Sequence, residues 1–165
     1  MKYFEKKEGN IFFIPLFLSN DIKDNTKNYS KINFNIEENY AFGRLIEIDK
    51  SKGDLIEIFN YTGNIPNDKD DIVKSGLMFD PLHISMAFTK NRWRFVFEEL
   101  AYDREKYSNY SKITFLLGDE YDPKLWIGGK IKSIKKYDTN KYNECIVYTP
   151  TEIEIMIKER ISSNK

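Results

Sequence analysis

The sequence contains very few of the side chains from which metal sites and activated nucleophiles are usually built. Among its 165 residues there is one cysteine, Cys145, and one histidine, His83. A single cysteine excludes an internal disulfide, and the two counts together argue against the common zinc patterns and most hydrolase triads. Both residues are interpreted as structural, and no metal or cofactor is expected.

The sequence also lacks an excess of charge and a long apolar run. Lys and Arg number 26 and Asp and Glu also number 26, so no global charge directs the chain to nucleic acid or anionic lipid. The apolar run from Ile11 to Leu18 is far shorter than the ~20 residues that span a bilayer. Glutamates dilute the lysines before it and no small-residue cleavage site follows, so we interpret the run as a β-strand and expect a cytoplasmic protein.

Apolar and aromatic residues, at 41% and 15%, are sufficient for one core, and a single domain over residues 1–165 is expected. The segment Tyr40–Tyr61 predicts two strands joined by a turn at Lys50–Gly53. Arg44 has the same parity as the apolar residues of the first strand. The strand would therefore point a guanidinium toward an otherwise apolar face.

Several further segments show alternating apolar and polar residues or residues typical of turns. Pro15 places the first strand at a sheet edge or at a bulge. The polar segment 19–39 predicts a long loop, held to the body by Ile32 and Phe34. A short helical turn is predicted within 68–76, and further strands are predicted at 92–98, 113–117, 125–127 and 144–148. In the strand at 92–98, Trp93, Phe95 and Phe97 would face inward, with Arg92, Arg94, Val96 and Glu98 on the other side.

The C-terminus carries the strongest helix signal. Thr149-Pro150-Thr151-Glu152 fits a capping box with proline at the first helical position. An apolar stripe at helical spacing follows, from Ile153 through Met156 and Ile157 to Ile161, so a helix is predicted at about 150–162. The predicted fold class is α+β, with a mostly antiparallel, strongly twisted β-sheet or partial barrel and this C-terminal helix.

Arginines beside aromatic residues leave two interpretations open. Arg44, Arg92 and Arg94, with Trp93, could form the surface of a small β-rich module that binds nucleic acid. Alternatively, these arginines pair with carboxylates across neighbouring strands.

Asp68, Asp70 and Asp71 lack the glycine and glutamate positions of a calcium loop, so a solvated acidic turn is the better interpretation.

Four short motifs, in order along the chain, carry a family resemblance. The chain resembles the immunity protein 26 family of bacterial polymorphic-toxin systems over roughly residues 9–131, in the segments GNIFFIPL (9–16), YAFGRL (40–45), IEIF (56–59) and KNRWR (90–94). The insertion from Asn20 to Asn39 is longer than the family pattern, and the segment after Lys132 has no clear counterpart.

The resemblance implies an α+β protein that binds and neutralises a cognate toxin without enzymatic activity, small-molecule substrate, cofactor or membrane contact. It implies that the shared motif positions hold the fold, namely Phe12, Ile14, Pro15, Phe42, Gly43, Arg44 and Trp93. Arg44 is accordingly expected to pair with a carboxylate or with backbone carbonyls. Against a basic nuclease, acidic side chains would steer the toxin into contact, and the candidates are Asp68, Asp70, Asp71, Glu98, Glu99, Asp119 and Glu120.

Overall fold

A six-stranded sheet is built around the strand pair that the sequence predicts between Tyr40 and Tyr61. The computed structural model describes residues 1–165. The chain divides into two compact units, one of residues 1–101 and 147–165 (the main unit) and one of residues 102–146 (the inserted unit). Whether they act as the single domain expected from the sequence stays a prediction.

The main unit contains the six-stranded sheet. Its strands are β1 (Ile11–Pro15), β2 (Tyr40–Glu47), β3 (Asp54–Gly63), β4 (Leu82–Ile84), β5 (Arg94–Phe97) and β9 (Val147–Tyr148). They lie in the order β5-β1-β2-β3-β4-β9, and neighbouring strands are antiparallel except β4 and β9, which are parallel. Its helices are a 3₁₀ turn (Ile22–Asn25), α1 (Lys69–Val73) and α3 (Pro150–Ser163).

The inserted unit contains a smaller antiparallel sheet. Its elements are α2 (Arg104–Ser108), a 3₁₀ turn (Tyr110–Lys112), β6 (Thr114–Leu117), β7 (Lys124–Ile127) and β8 (Lys130–Ser133). The three strands lie in the order β6-β7-β8. Neither sheet closes into a barrel, so the predicted α+β class with a mostly antiparallel sheet and a C-terminal helix is confirmed. None of the α-helices combines the length and the apolar character needed to cross a membrane.

Both faces of the large sheet are covered, which explains why its central strands are apolar at nearly every position. Phe12 and Phe13 are adjacent and lie in two different buried clusters, as the two-residue period of a strand requires. Ile153 and Ile157 of α3 pack into the cluster that contains Phe12. Phe34, from the loop 19–39, packs into the other cluster, so the predicted anchoring of this loop is confirmed.

Three details of the predicted strands are wrong. β1 lies between β2 and β5 rather than at an edge, and its irregular register with β5 falls at Ile11 and Phe12 rather than at Pro15. Pro15 is tolerated because β5 pairs only with Ile11–Phe13, so Pro15 pairs with β2 alone. Alternation along the first strand predicts that Ile48 shares the buried face of Phe42 and Ile46, but Ile48 lies beyond the end of β2 and is 41% exposed. Arg92 does not face outward, since it precedes β5 and is buried.

Gly43 is required by a close approach between β1, β2 and β3. A Cβ atom at this position would lie 2.5 Å from Cζ of Phe12 and 2.6 Å from the carbonyl oxygen of Glu57. No side chain fits between a packed ring and a neighbouring strand at these distances. The register between β2 and β3 also shifts on each side of this segment, which indicates β-bulges.

Arg44 is buried and paired with a carboxylate, as expected. Its Nη1 donates to Oε1 of Glu57 at 3.0 Å, and the two residues lie opposite each other on β2 and β3. The guanidinium carbon also lies 5.4 Å from the ring centre of Phe59. A strand pair with both faces covered can therefore hold one arginine, because the cross-strand partner supplies the opposite charge.

A second buried ion pair connects α3 to the sheet. Arg92 donates from Nε to Oε1 of Glu154 at 2.8 Å and from Nη2 to Oε2 at 2.6 Å. The indole Nε1 of Trp93 donates to the same Oε1 at 2.9 Å, and Nδ2 of Asn20 donates to Oε2 at 2.8 Å. The carboxylate is fully buried, and its charge is balanced by Arg92 and hydrogen-bonded at both oxygens.

The loop 19–39 also contacts Arg92. The guanidinium donates to the carbonyl oxygen of Ser19 at 2.6 Å and to the hydroxyl of Tyr29. Burial raises the pKa of the Tyr29 hydroxyl, so it stays protonated. Burial alone would lower the pKa of Arg92, but the hydrogen bonds and negative charge of Glu154 raise it.

We predict that Glu154→Gln lowers the free energy of unfolding by about 3–5 kcal/mol, because it leaves the charge of Arg92 buried without its counter-charge. Urea unfolding followed by circular dichroism measures the change. Glu159→Gln, at an exposed position of the same helix, is the matched control and should stay within about 0.5 kcal/mol of wild type. A loss below about 1 kcal/mol for Glu154→Gln would contradict this account of the pair.

We predict that His83 makes the stability of the protein depend on pH. His83 is buried on β4, and burial lowers the pKa of its imidazole. As the pH falls below about 6.5, the unfolded chain takes up a proton that the folded chain resists, so the free energy of unfolding falls. The slope can reach at most about 1.4 kcal/mol per pH unit for one proton.

The measurement is urea unfolding between about pH 7.5 and 5.5, where the other side chains of ordinary pKa do not titrate. His83 is the single histidine of the chain, so His83→Gln should flatten the profile over this range. An unchanged slope in the variant would show that another group is responsible.

Candidate functional site

Five of the seven predicted acidic residues come together where β5 ends and α1 begins. Asp68 caps α1, its side chain accepting from the backbone N–H of Asp70 at 2.9 Å. Lys69 connects the two segments: its Nζ lies 2.8 Å from Oε2 of Glu99 and donates to the carbonyl oxygen of Glu98 at 3.1 Å. We call this group the acidic edge; it consists of Asp68, Asp70, Asp71, Glu98 and Glu99.

The acidic edge carries net negative charge at the surface. The Lys69–Glu99 pair is half-buried and cancels its own charge. The other four carboxylates are exposed to solvent and form no salt bridge within the protein. Four uncompensated charges on two short adjoining segments produce a local negative potential on a chain whose net charge is zero.

The remaining two predicted acidic residues lie in the inserted unit. Asp119 and Glu120 are exposed in the turn between β6 and β7. A side-chain oxygen of Asp119 accepts from the backbone N–H of Tyr121 at 2.8 Å and of Asp122 at 2.9 Å, so this carboxylate shapes the turn. The chain therefore carries two separate acidic groups, one in each unit.

The arginines that suggested nucleic-acid binding are engaged inside the main unit. Arg44 and Arg92 are each 1% exposed, so neither can contact a polynucleotide. Arg94 is half-buried and donates to three backbone carbonyls, those of Asn91, Tyr29 and Ile32, at 2.6 to 3.1 Å. Its guanidinium also lies over the ring of Phe34 at 4.5 Å. Arg44 pairs with a carboxylate across neighbouring strands, as the second interpretation has it. Arg92 pairs instead with a carboxylate of α3, and Arg94 with backbone carbonyls, so for these two only the internal role is supported.

Comparison with known families identifies the chain. The family model described as immunity protein 26 matches residues 7–122, more than two thirds of the sequence. The chain belongs to the immunity protein 26 family. Neither curated proteins nor solved structures give a match to it.

The matched region of this immunity protein contains every predicted site residue and excludes part of the fold. The motif residues Phe12, Ile14, Phe42, Gly43 and Trp93 lie in it and are buried. β7, β8 and α3 lie outside it. The carboxylate that neutralises Arg92 therefore comes from outside the residues that match the family model.

Sequence reasoning did not identify two residues of the buried network, Glu154 and Tyr29. Glu154 is adjacent to Ile153 and three positions before Ile157, which places it on the apolar side of α3. A carboxylate in that position was the available signal that the helix needs a buried cation. Tyr29 lies in an irregular loop and offers no comparable signal.

The side chains that could perform catalysis or hold a metal are dispersed in this immunity protein. His83 is buried in the sheet, and Cys145 is half-buried in the inserted unit. No group of three or more His, Cys, Asp or Glu side chains is arranged to hold a metal ion. The acidic edge is the surface at which five of the seven predicted acidic residues meet.

Proposed function

We propose that this member of the family is a bacterial, cytoplasmic immunity protein that binds the toxin of its own polymorphic-toxin system and neutralises it by stoichiometric occlusion. The observation that carries the proposal is the match of the immunity family to most of the chain. The protein acts by binding, without a reaction of its own. Affinity on the order of nanomolar or tighter is needed, because free toxin would kill the producing cell.

The acidic edge supports a nuclease as the toxin. A nuclease binds a polyanion and therefore presents a basic cleft. Asp68, Asp70, Asp71 and Glu98 are exposed and uncompensated, so they would attract such a cleft and accelerate association. Occlusion of the cleft then prevents the toxin from reaching its substrate.

The direct test uses the purified toxin domain encoded by the neighbouring gene. Titration calorimetry should show a one-to-one complex with nanomolar or tighter affinity, and the complex should have no nuclease activity. Absence of binding at micromolar concentrations of both proteins would refute the proposal.

We predict that Asp68→Asn/Asp70→Asn/Asp71→Asn slows association with the toxin domain by about 10-fold at low salt and reduces its salt dependence. The asparagine at position 68 can still cap α1, so the fold should be retained. Stopped-flow association at several salt concentrations measures the effect.

The comparison variant is Asp119→Asn/Glu120→Gln, which removes charge from the other acidic group. We expect the larger loss for the triple variant, because its group holds more uncompensated charge. Equal association rates for the triple variant and wild type would exclude the acidic edge as the steering surface.

A further inference from the structure

An apolar hollow of about 610 Å³ opens on the surface of the main unit directly beside the acidic edge. Its lining comes from four segments: the N-terminal residues, the loop 19–39, the turn before α1 and the end of β5. The apolar residues that form most of it are Met1, Ile36, Ile65, Val96, Phe97 and Leu100.

The hollow has a fixed floor and an exposed apolar rim. Ile65 and Val96 are 8% and 7% exposed and belong to the buried cluster beneath the loop 19–39. The backbone N–H of Ile65 donates to the carbonyl oxygen of Ile36 at 3.0 Å, which holds the loop against the turn. At the rim, Ile36 is 49% exposed and Leu100 is 79% exposed. Large apolar side chains gathered at this exposure around a concave surface are typical of an interaction site.

The charge around the hollow restricts what can occupy it. Asp68 and Glu98 line it, and the exposed carboxylates of Asp70 and Asp71 follow immediately. Of the two lysines that line it, Lys69 is neutralised by Glu99, whereas Lys2 forms no salt bridge and lies over the ring of Phe4 at 5.0 Å. The hollow is therefore apolar within, negative where α1 begins and β5 ends, and positive at Lys2.

We propose that this hollow is the anchor pocket for the toxin, and that it receives a large apolar side chain flanked by Lys or Arg on the toxin surface. The proposal rests on the immunity function proposed above and states the chemistry of the partner. A second copy of the chain would bring the same carboxylates toward each other, and an anionic membrane would repel them. A cationic protein segment with a large apolar side chain would place that side chain in the apolar hollow and its positive charges beside the carboxylates.

The acidic edge and the apolar hollow should control different rate constants of toxin binding. Exposed carboxylates act at a distance and set the rate of association. An apolar side chain in a pocket acts only after contact and sets the rate of dissociation. The separation allows the pocket to be tested independently of the acidic edge.

The test measures toxin-domain binding to Ile36→Ser/Leu100→Ser by surface plasmon resonance. We expect dissociation to accelerate by roughly 100-fold, about 10-fold for each truncated anchor contact, with the association rate unchanged within about twofold. Ile22→Ser, at a residue 80% exposed in the 3₁₀ turn and away from the hollow, is the matched control and should leave both rates unchanged.

Thermal unfolding of each variant verifies the fold. Should the double variant unfold, hydrogen exchange of the wild-type complex decides instead: amides of residues 65–69 and 96–100 should gain protection, and unchanged exchange there would overturn the proposal. If the wild-type protein does not bind the toxin domain, the immunity function itself fails and the pocket fails with it.

Wild-type binding with unchanged dissociation from Ile36→Ser/Leu100→Ser would overturn the pocket and leave the immunity function intact. Sedimentation equilibrium of the protein alone tests the other occupant. A wild-type dimer that Leu100→Ser converts to a monomer would assign the hollow to self-association and overturn the proposal.

Discussion

One buried carboxylate orders three parts of the main unit at once. Glu154 belongs to the C-terminal helix, its principal partner Arg92 precedes the edge strand of the sheet, and Asn20 belongs to the long loop. A charge in a region of low dielectric is tolerated only when it is fully paired. Helix, sheet and loop must therefore occupy their places together, and the loop then places Ile36 at the rim of the surface hollow.

The same constraint distinguishes the buried charges of this family member from its exposed acidic edge. Two buried arginines, Arg44 and Arg92, neutralise Glu57 and Glu154 inside the main unit. The exposed carboxylates near α1 have no such partners, so their charge acts on the solvent. A chain with zero net charge can therefore carry a locally negative surface, because the balancing positive charges lie on other parts of the protein.

Local signals predicted most of the secondary structure. The capping box at Thr149 and the turn at Lys50–Gly53 depend on neighbouring residues, and the structure confirms both the helix and the strand pair that they predicted. It was harder to predict which side chains of each strand are buried. Arg92 and Val96 alternate with Trp93 and Phe95, and an alternating strand normally has one exposed face. Here both faces are covered, since α3 packs on one side and the loop 19–39 on the other.

The sequence was sufficient to predict the α+β class, the C-terminal helix and, through short motifs in order, the immunity protein 26 family. Those features depend on residue spacing, which is visible along the chain. The pairing of Arg92 with Glu154, which lies 62 positions away, became visible only in the folded chain. The same holds for the position of Asp68 and Glu98 at one apolar hollow, whereas Asp119 and Glu120 lie in another unit. Ion pairs and surface hollows form between segments distant in sequence, so no local pattern encodes them.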